Sequence, residues 1–138
     1  MGGNHCRKVV KMILVIGGAC QGKLKLVFSW LEQNIDRSGY ADGADDPWQE
    51  FKERNVVYGV QEYIKRGMEE QINLGDWVTQ LIAADPEYVI MDEVGYGVVP
   101  IRKEVRQYRE QAGQIGQLLA REAQAVYRVV CGIPVKIK

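Results

Sequence analysis

The feature that most constrains this sequence is an apolar run that leads directly into a glycine-rich turn and then a helical pattern. The run covers residues 11–16, and Gly17, Gly22 and Lys23 follow it. Apolar side chains then recur at helical spacing, at Leu24, Val27, Trp30, Leu31 and Ile35. A run that is apolar on both faces is typical of a central parallel strand. The order strand, glycine loop, helix predicts the opening unit of an α/β fold.

The rest of the sequence alternates predicted strands with predicted helices. Further strands are expected over 55–60, 88–91, 126–131 and 135–138. Helices are expected around 48–54, 63–68, 74–82 and 100–123. A loop rich in Gly and Asp is expected over 36–47. This alternation predicts one α/β domain over residues 1–138, with a mainly parallel sheet, helices on both faces and flexible residues 1–10.

Composition excludes several classes of protein. Eighteen Lys and Arg against eighteen Asp and Glu give a formal net charge of zero, so a sequence-independent nucleic-acid binder is not expected. The apolar runs are too short for a membrane span, and the N-terminus lacks the pattern of a signal peptide. Three scattered cysteines indicate a reducing, cytoplasmic setting rather than a disulfide framework.

The glycine turn has the spacing of a phosphate-binding loop, G-x-x-x-x-G-K, between a strand and a helix. In such loops, backbone N–H groups and the helix N-terminus hold phosphate, while the lysine reaches its outer oxygens. The alternative is a glycine-rich turn with a solvated lysine. A Ser or Thr normally follows the lysine and helps to hold Mg²⁺, but Leu24 stands there. The predicted nucleotide-binding residues are Gly17, Gly18, Ala19, Cys20, Gln21, Gly22, Lys23 and Leu24.

Two acids end the predicted strand over 88–91. An acid in this position can hold Mg²⁺ or act as a base, although acids also commonly cap the turn that follows a strand. We therefore predict Lys23, Asp92 and Glu93 as catalytic residues and Asp92 as the metal ligand.

Basic residues recur on one face of the predicted helix over 100–123. Arg102, Arg106 and Arg109 are three or four positions apart, which places them on the same side. They either meet a phosphate or form a solvated face paired with Glu104 and Glu110. Arg109 is the predicted phosphate contact.

Four segments together resemble the adenosylcobinamide kinase / adenosylcobinamide-phosphate guanylyltransferase family. The first is residues 12–23, and the second is the E-V-G-Y-G-V-V-P segment over 93–100. The third is residues 106–117, similar to the family's R-x-[FY]-R-D-x-x-G-x-x-N-Q stretch, and the last is the V-Y-x-V-x-x-G-I-P ending over 126–138. The resemblance covers residues 12–34 and about 85–138.

This resemblance implies a P-loop α/β fold and a place in cobalamin biosynthesis. Full members of the family phosphorylate the aminopropanol hydroxyl of adenosylcobinamide with ATP or GTP. They then transfer GMP to that phosphate through a guanylylated histidine, and they are typically homotrimers. The implied ligands are a nucleotide, Mg²⁺ and the corrinoid adenosylcobinamide.

The sequence also departs from the family pattern. The family carries its guanylylated histidine between the first helix and the middle strand, whereas residues 36–54 contain none and His5 lies upstream. Without that histidine, covalent guanylyl transfer is excluded. Asp92 replaces an Asn, and the middle strand lacks the usual Asp. Three readings stay open: a minimal kinase, a non-catalytic relative that binds nucleotide or a partner, and an oligomeric scaffold.

The shortened segment over 36–54 carries two large aromatic residues, Trp48 and Phe51. Its shortening either removes part of the corrinoid site or leaves an apolar surface that a partner covers.

Overall fold

The computed structural model describes residues 9–94 and 102–138. Within them the strands are β1 Ile13–Gly17, β2 Ala41–Asp42, β3 Val56–Tyr58, β4 Tyr88–Asp92, β5 Ala125–Val130 and β6 Ile133–Lys136. The α-helices are α1 Lys23–Trp30, α2 Val60–Glu69, α3 Leu74–Ala84 and α4 Lys103–Glu122. Single 3₁₀ turns occur at Arg37–Gly39 and Glu50–Glu53.

The six strands form one sheet in the order β2-β3-β4-β1-β5-β6. All neighbouring pairs are parallel except β5 and β6, which are antiparallel. The prediction of a mainly parallel α/β sheet is confirmed. β1 lies between β4 and β5, so its carboxyl end is flanked by the ends of both neighbours. Ligands of open parallel sheets bind at such carboxyl edges.

Helices cover both faces of the sheet, as predicted. On one face α1 packs Val27 and Phe28 against Val15, Ile90 and Val129. On the other face α2, α3 and α4 enclose the larger core, whose members include Leu14, Val89, Tyr63, Leu81 and Leu119. The central strands β1 and β4 contribute alternate side chains to the two cores, which explains why they are apolar throughout.

Two helical predictions were wrong at single positions. Ile35 was expected on α1, but the helix ends at Trp30 and Ile35 is 50% exposed. Val105 continues the apolar spacing of the helix predicted over 100–123, but it lies outside the buried stripe of α4 and is 39% exposed. That stripe is formed by Ala112, Ile115 and Leu119. Apolar spacing alone did not reveal where the neighbouring elements stop covering each helix.

The segment over 36–54 also differs from the predicted loop. It contributes β2, in which Ala41 pairs with Val57, and the expected helix over 48–54 is only the 3₁₀ turn. Of the two alternatives for this segment, an exposed apolar surface is not formed by its aromatic residues, because Phe51 is 3% exposed and Trp48 packs on the same core. The segment therefore forms part of the folded core.

Side chains of α2 and α3 anchor this segment through its backbone. Arg66 Nη1 donates to the Gly43 and Asp46 carbonyls at 2.6 and 2.8 Å. The Tyr63 hydroxyl donates to the Pro47 carbonyl at 3.1 Å, and Trp77 Nε1 donates to the Trp48 carbonyl at 2.8 Å. The tight path of the segment is therefore held by hydrogen bonds to its own carbonyls.

Candidate functional site

The glycine loop leaves β1 between two neighbouring strands and turns directly into α1. A Cβ on Gly17 would lie 2.6 Å from the Val129 carbonyl oxygen, so the close approach of the strands requires glycine there. Cys20 and Gly22 have φ of 60° and 84°, the left-handed conformation. Gly22 caps α1 at its N-terminus, where backbone N–H groups and the helix dipole favour an anion.

Lys23 is folded back into the loop. Its side chain is 3% exposed, and Nζ donates to the Gly18 carbonyl at 2.6 Å. The same Nζ lies 2.7 Å from Asp92 Oδ1. The alternative of a solvated lysine is therefore excluded. The structure brings together Lys23 and Asp92, two of the predicted catalytic residues.

Asp92 ends β4 beside the loop, and α2 fixes its backbone. Its N–H donates to Gln61 Oε1 at 2.9 Å, and Gln61 is 8% exposed. The Asp92 side chain keeps 25% of its surface exposed. Gln61 was not predicted. The signal that sequence offered was a polar residue at the start of a helix that follows a buried strand.

Glu93 is held on both its backbone and its side chain. Its N–H donates to the Gly17 carbonyl at 2.8 Å, which extends the pairing of β1 and β4. Its Oε1 accepts from Arg128 Nε at 2.7 Å, and the Glu93 side chain is 14% exposed. Glu93 is thus engaged with a cation of β5, on the same sheet edge as the loop.

The turn between β5 and β6 docks on the loop through Gln21. The Cys131 N–H donates to Gln21 Oε1 at 2.6 Å, and the Gly132 N–H donates to the Gln21 carbonyl at 2.9 Å. Cys131 and Gly132 have φ of 49° and 77°. Two successive positive φ values are typical of a two-residue type I′ hairpin turn. The hairpin therefore stabilises the conformation of the loop.

The donor groups around the loop do not form a Mg²⁺ site in this arrangement. Leu24 packs against the core on the α1 face and has no ligating atom. Asp92 is paired with Lys23, and Glu93 with Arg128. In the described residues, no group of three or more His, Cys, Asp or Glu side chains is placed to hold a metal ion. Asp92 Oδ1 is the oxygen paired with Lys23, so the predicted metal role of Asp92 stays a prediction.

Tyr58 ends β3, the strand for which the family resemblance implied an acid. Burial raises the pKa of its hydroxyl, and the negative charges of Asp92 and Asp42 raise it further. The neutral phenol lies on the same edge of the sheet as the loop.

Arg109 lies in the second turn of α4 and is partly exposed. Its predicted phosphate contact stays a prediction. Residues 95–100 of the E-V-G-Y-G-V-V-P segment lie outside the described residues.

A cavity of about 350 Å³ opens between α4 and the carboxyl ends of β1 and β4. Asp92 and Glu93 lie at its polar side, and Ile16 and Met91 form part of its apolar wall. On α4 it is bordered by the small residues Gly113 and Gly116. A Cβ on Gly113 would meet nothing within 4 Å, so the small residues leave this space open.

The parallel sheet, the loop at the end of its central strand and the buried lysine define a P-loop α/β protein. A sequence model of the cobinamide kinase / cobinamide phosphate guanyltransferase family, CobU, matches residues 60–137, which is more than half of the chain. The chain belongs to this family.

Two curated relatives carry the same printed name, bifunctional adenosylcobalamin biosynthesis protein CobU. The protein from Escherichia coli K12 is 42% identical over 82 residues, covering 56% of this chain and 44% of that protein. The protein from Salmonella typhimurium LT2 is 46% identical over 50 residues, covering 36% of this chain and 28% of that protein. The chain therefore spans less than half the length of these relatives.

No helix among the described residues is both long enough and apolar enough to cross a bilayer.

Proposed function

We propose that this protein binds the phosphate chain of ATP or GTP in the loop over residues 17–24. The observation that carries the proposal is the position of Lys23 Nζ, which lies inside the loop, 2.6 Å from the Gly18 carbonyl. A lysine held there is already placed for the outer phosphates, and the N-terminus of α1 adds backbone donors. Arg109 supplies a further cation in this proposal.

The reaction proposed for this site is transfer of a phosphoryl group to adenosylcobinamide. The family description includes a cobinamide kinase, and both relatives are named for adenosylcobalamin biosynthesis. Phosphoryl transfer depends mainly on positioning and charge neutralisation, which Lys23 and the loop backbone are suited to supply. The cavity beside Asp92 holds only about 350 Å³, so it would take one arm of a corrinoid rather than the whole ring.

Guanylyl transfer is not part of the proposal. The segment over 36–54 contains no histidine, and its backbone carbonyls are engaged by Arg66, Tyr63 and Trp77. A covalent guanylyl intermediate needs a nucleophile at that stage of the reaction. We therefore expect no GMP transfer from GTP, which radiolabelled GTP and denaturing electrophoresis would measure.

A second candidate is a non-catalytic relative that binds nucleotide and acts in regulation or assembly. Two observations favour it. Leu24 removes the hydroxyl that normally helps to hold Mg²⁺, and Asp92 is occupied by Lys23. Without a metal the charge of the transferring phosphoryl group is less well neutralised. The protein would then keep nucleotide binding but lose phosphoryl transfer.

Thermal unfolding with ATP or GTP, each with and without Mg²⁺, tests both candidates. A ligand present at 100 times its dissociation constant adds about 2.7 kcal/mol to the folded state. Stabilisation that requires Mg²⁺ supports the kinase and leads to an assay with adenosylcobinamide. Stabilisation that is indifferent to Mg²⁺ supports the non-catalytic relative.

Lys23→Met is the matched control, because it keeps an unbranched side chain and removes the ammonium group. Loss of stabilisation in this variant would place the nucleotide in the loop. Equal stabilisation of the variant and the wild type would contradict the proposal, as would no stabilisation of the wild type at any nucleotide concentration.

The proposal includes a cytoplasmic location and a homotrimer. Adenosylcobinamide and nucleotides are the expected ligands, with no nucleic acid or membrane among its partners. Sedimentation equilibrium is expected to give a mass three times the 15.6 kDa of one chain. A mass equal to that of one chain would contradict the trimer.

A further inference from the structure

We propose that Asp92 acts as an internal counter-ion that competes with the ligand's phosphate for Lys23. This inference rests on the proposed binding of nucleotide in the loop. It assigns Asp92 a role in setting which charge state of the ligand binds. A metal-free nucleotide must either share Lys23 with Asp92 or displace it, and a ligand with less negative charge meets less repulsion from Asp92.

The geometry at the ammonium group of Lys23 restricts how a phosphate can approach it. Lys23 Nζ has three hydrogens to donate. One is directed to the Gly18 carbonyl at 2.6 Å and another to Asp92 Oδ1 at 2.7 Å. With the lysine side chain only 3% exposed, two of its three donors are engaged within the protein. A phosphate oxygen can add to this arrangement only beside the carboxylate.

The backbone of Asp92 cannot move away from Lys23, because its strand is fixed. Its N–H is bonded to the buried Gln61 side chain at 2.9 Å. β4 pairs with β1 as far as Gly17 and Asp92, and the next residue, Glu93, continues that contact with Gly17. The backbone that carries the carboxylate is therefore fixed, and only rotation of the side chain can move it.

The negative charge of Asp92 repels a phosphate that approaches Lys23. Like charges at contact distance oppose each other strongly when water is largely excluded. The lysine is buried, and three-quarters of the Asp92 side chain is covered. A phosphate that reaches Lys23 therefore places its negative charge close to a second fixed negative charge.

Asp92→Asn separates the counter-ion role from the role of a metal ligand. The amide has nearly the same shape, and the bond between Gln61 and the Asp92 backbone is unaffected because it does not use the side chain. If Asp92 is a counter-ion, the variant binds metal-free nucleotide more tightly. If Asp92 is a metal ligand, the variant loses affinity for the nucleotide only when Mg²⁺ is present.

The experiment is isothermal titration calorimetry of the whole chain with ATP in the presence of EDTA, repeated with Mg²⁺. We expect Asp92→Asn to tighten metal-free binding roughly tenfold or more, because the charge-assisted contact that competes with the phosphate is weakened. Asp42→Asn is the matched control. Asp42 ends β2 on the same edge, and its Oδ1 accepts from the Ala44 N–H at 2.9 Å. It is expected to change the affinity by less than about twofold.

Several outcomes overturn the inference. If wild type and Asp92→Asn bind metal-free ATP with equal affinity while Lys23→Met abolishes binding, the counter-ion inference is overturned. The proposed nucleotide site then still stands. An equal gain in Asp42→Asn shows a general charge effect and also overturns the counter-ion inference. Binding that survives Lys23→Met, or no binding by any variant, overturns the nucleotide site and the inference together.

A folding defect is recognised by circular dichroism and by the midpoint of urea unfolding. If Asp92→Asn does not fold, Asp92→Ser is the replacement, because it also removes the charge. It is expected to show the same gain in metal-free affinity, and unchanged affinity would overturn the inference.

Discussion

Leu24 stands in the first turn of α1, at the position from which a hydroxyl would face a bound metal. Leu24→Ser adds that hydroxyl, and Leu24→Ala makes a similar truncation without it. Both variants are expected to lose about 1–3 kcal/mol in the free energy of unfolding, since a partly buried leucine leaves the core. Only the serine variant is expected to bind ATP more tightly when Mg²⁺ is added. Equal Mg²⁺ dependence in the two variants, measured by calorimetry, would contradict this.

The residues of the loop itself were predictable because their chemistry is local. Glycines followed by lysine between a strand and a helix are read from adjacent positions. Their partners were not predictable, because they come from distant segments. Gln61 is 31 residues from Asp92, Arg128 is 35 from Glu93, and Cys131 is 110 from Gln21. The sequence therefore indicated which side chains were candidates, but the pairing of Asp92 with Lys23 needed the fold.

At the scale of elements, Arg66 on α2 holds the segment over 36–54. Its planar guanidinium group donates two hydrogen bonds to backbone carbonyls and also stacks 4.6 Å from the Trp48 ring centre. Arg66→Ala is expected to lower the free energy of unfolding by about 2–4 kcal/mol. Lys65→Ala, the exposed neighbour on the same helix, is expected to change it by less than about 0.5 kcal/mol. Urea unfolding measures both. Equal changes in the free energy of unfolding for the two variants would show that the contacts of Arg66 contribute little to stability.

The long elements were predicted well, whereas β2, the shortest strand among the described residues, was missed. β1, β4 and α4 each carry a full apolar pattern, so their own residues define them. β2 has only two residues, and it exists because Ala41 pairs with Val57 across the sheet. Gly43 then passes so close to Gly59 that a Cβ would overlap the Gly59 carbonyl. The contact between Gly43 and Gly59 depends on two distant segments meeting, so no local sequence pattern predicts it.

At the scale of the whole molecule, buried tyrosines set a limit on alkaline stability. Burial raises the pKa of Tyr63, and burial together with the charges of Glu62 and Asp92 raises the pKa of Tyr108 to about 12. Both phenols ionise near pH 10 in the unfolded chain. The folded state is therefore fully stabilised below about pH 10 and loses that contribution as the pH rises towards 12.

Tyr108→Phe tests this contribution, since it removes a phenol whose pKa is raised in the folded protein. Between pH 10 and 12, the free energy of unfolding of the variant is expected to fall less steeply than that of the wild type. Urea unfolding at intervals of half a pH unit measures the two slopes. Identical slopes would show that Tyr108 titrates normally.

The bonds between Gln21 and the hairpin turn have a consequence for the order of synthesis. The loop is made before the turn that supports it, and the partner of the Gln21 side chain is added 110 residues later. At roughly 5–20 residues per second, this takes about 5–22 s on the ribosome. β5, which flanks the loop on one side, is also made after the loop. The nascent chain therefore carries the phosphate loop without these supporting contacts during that interval.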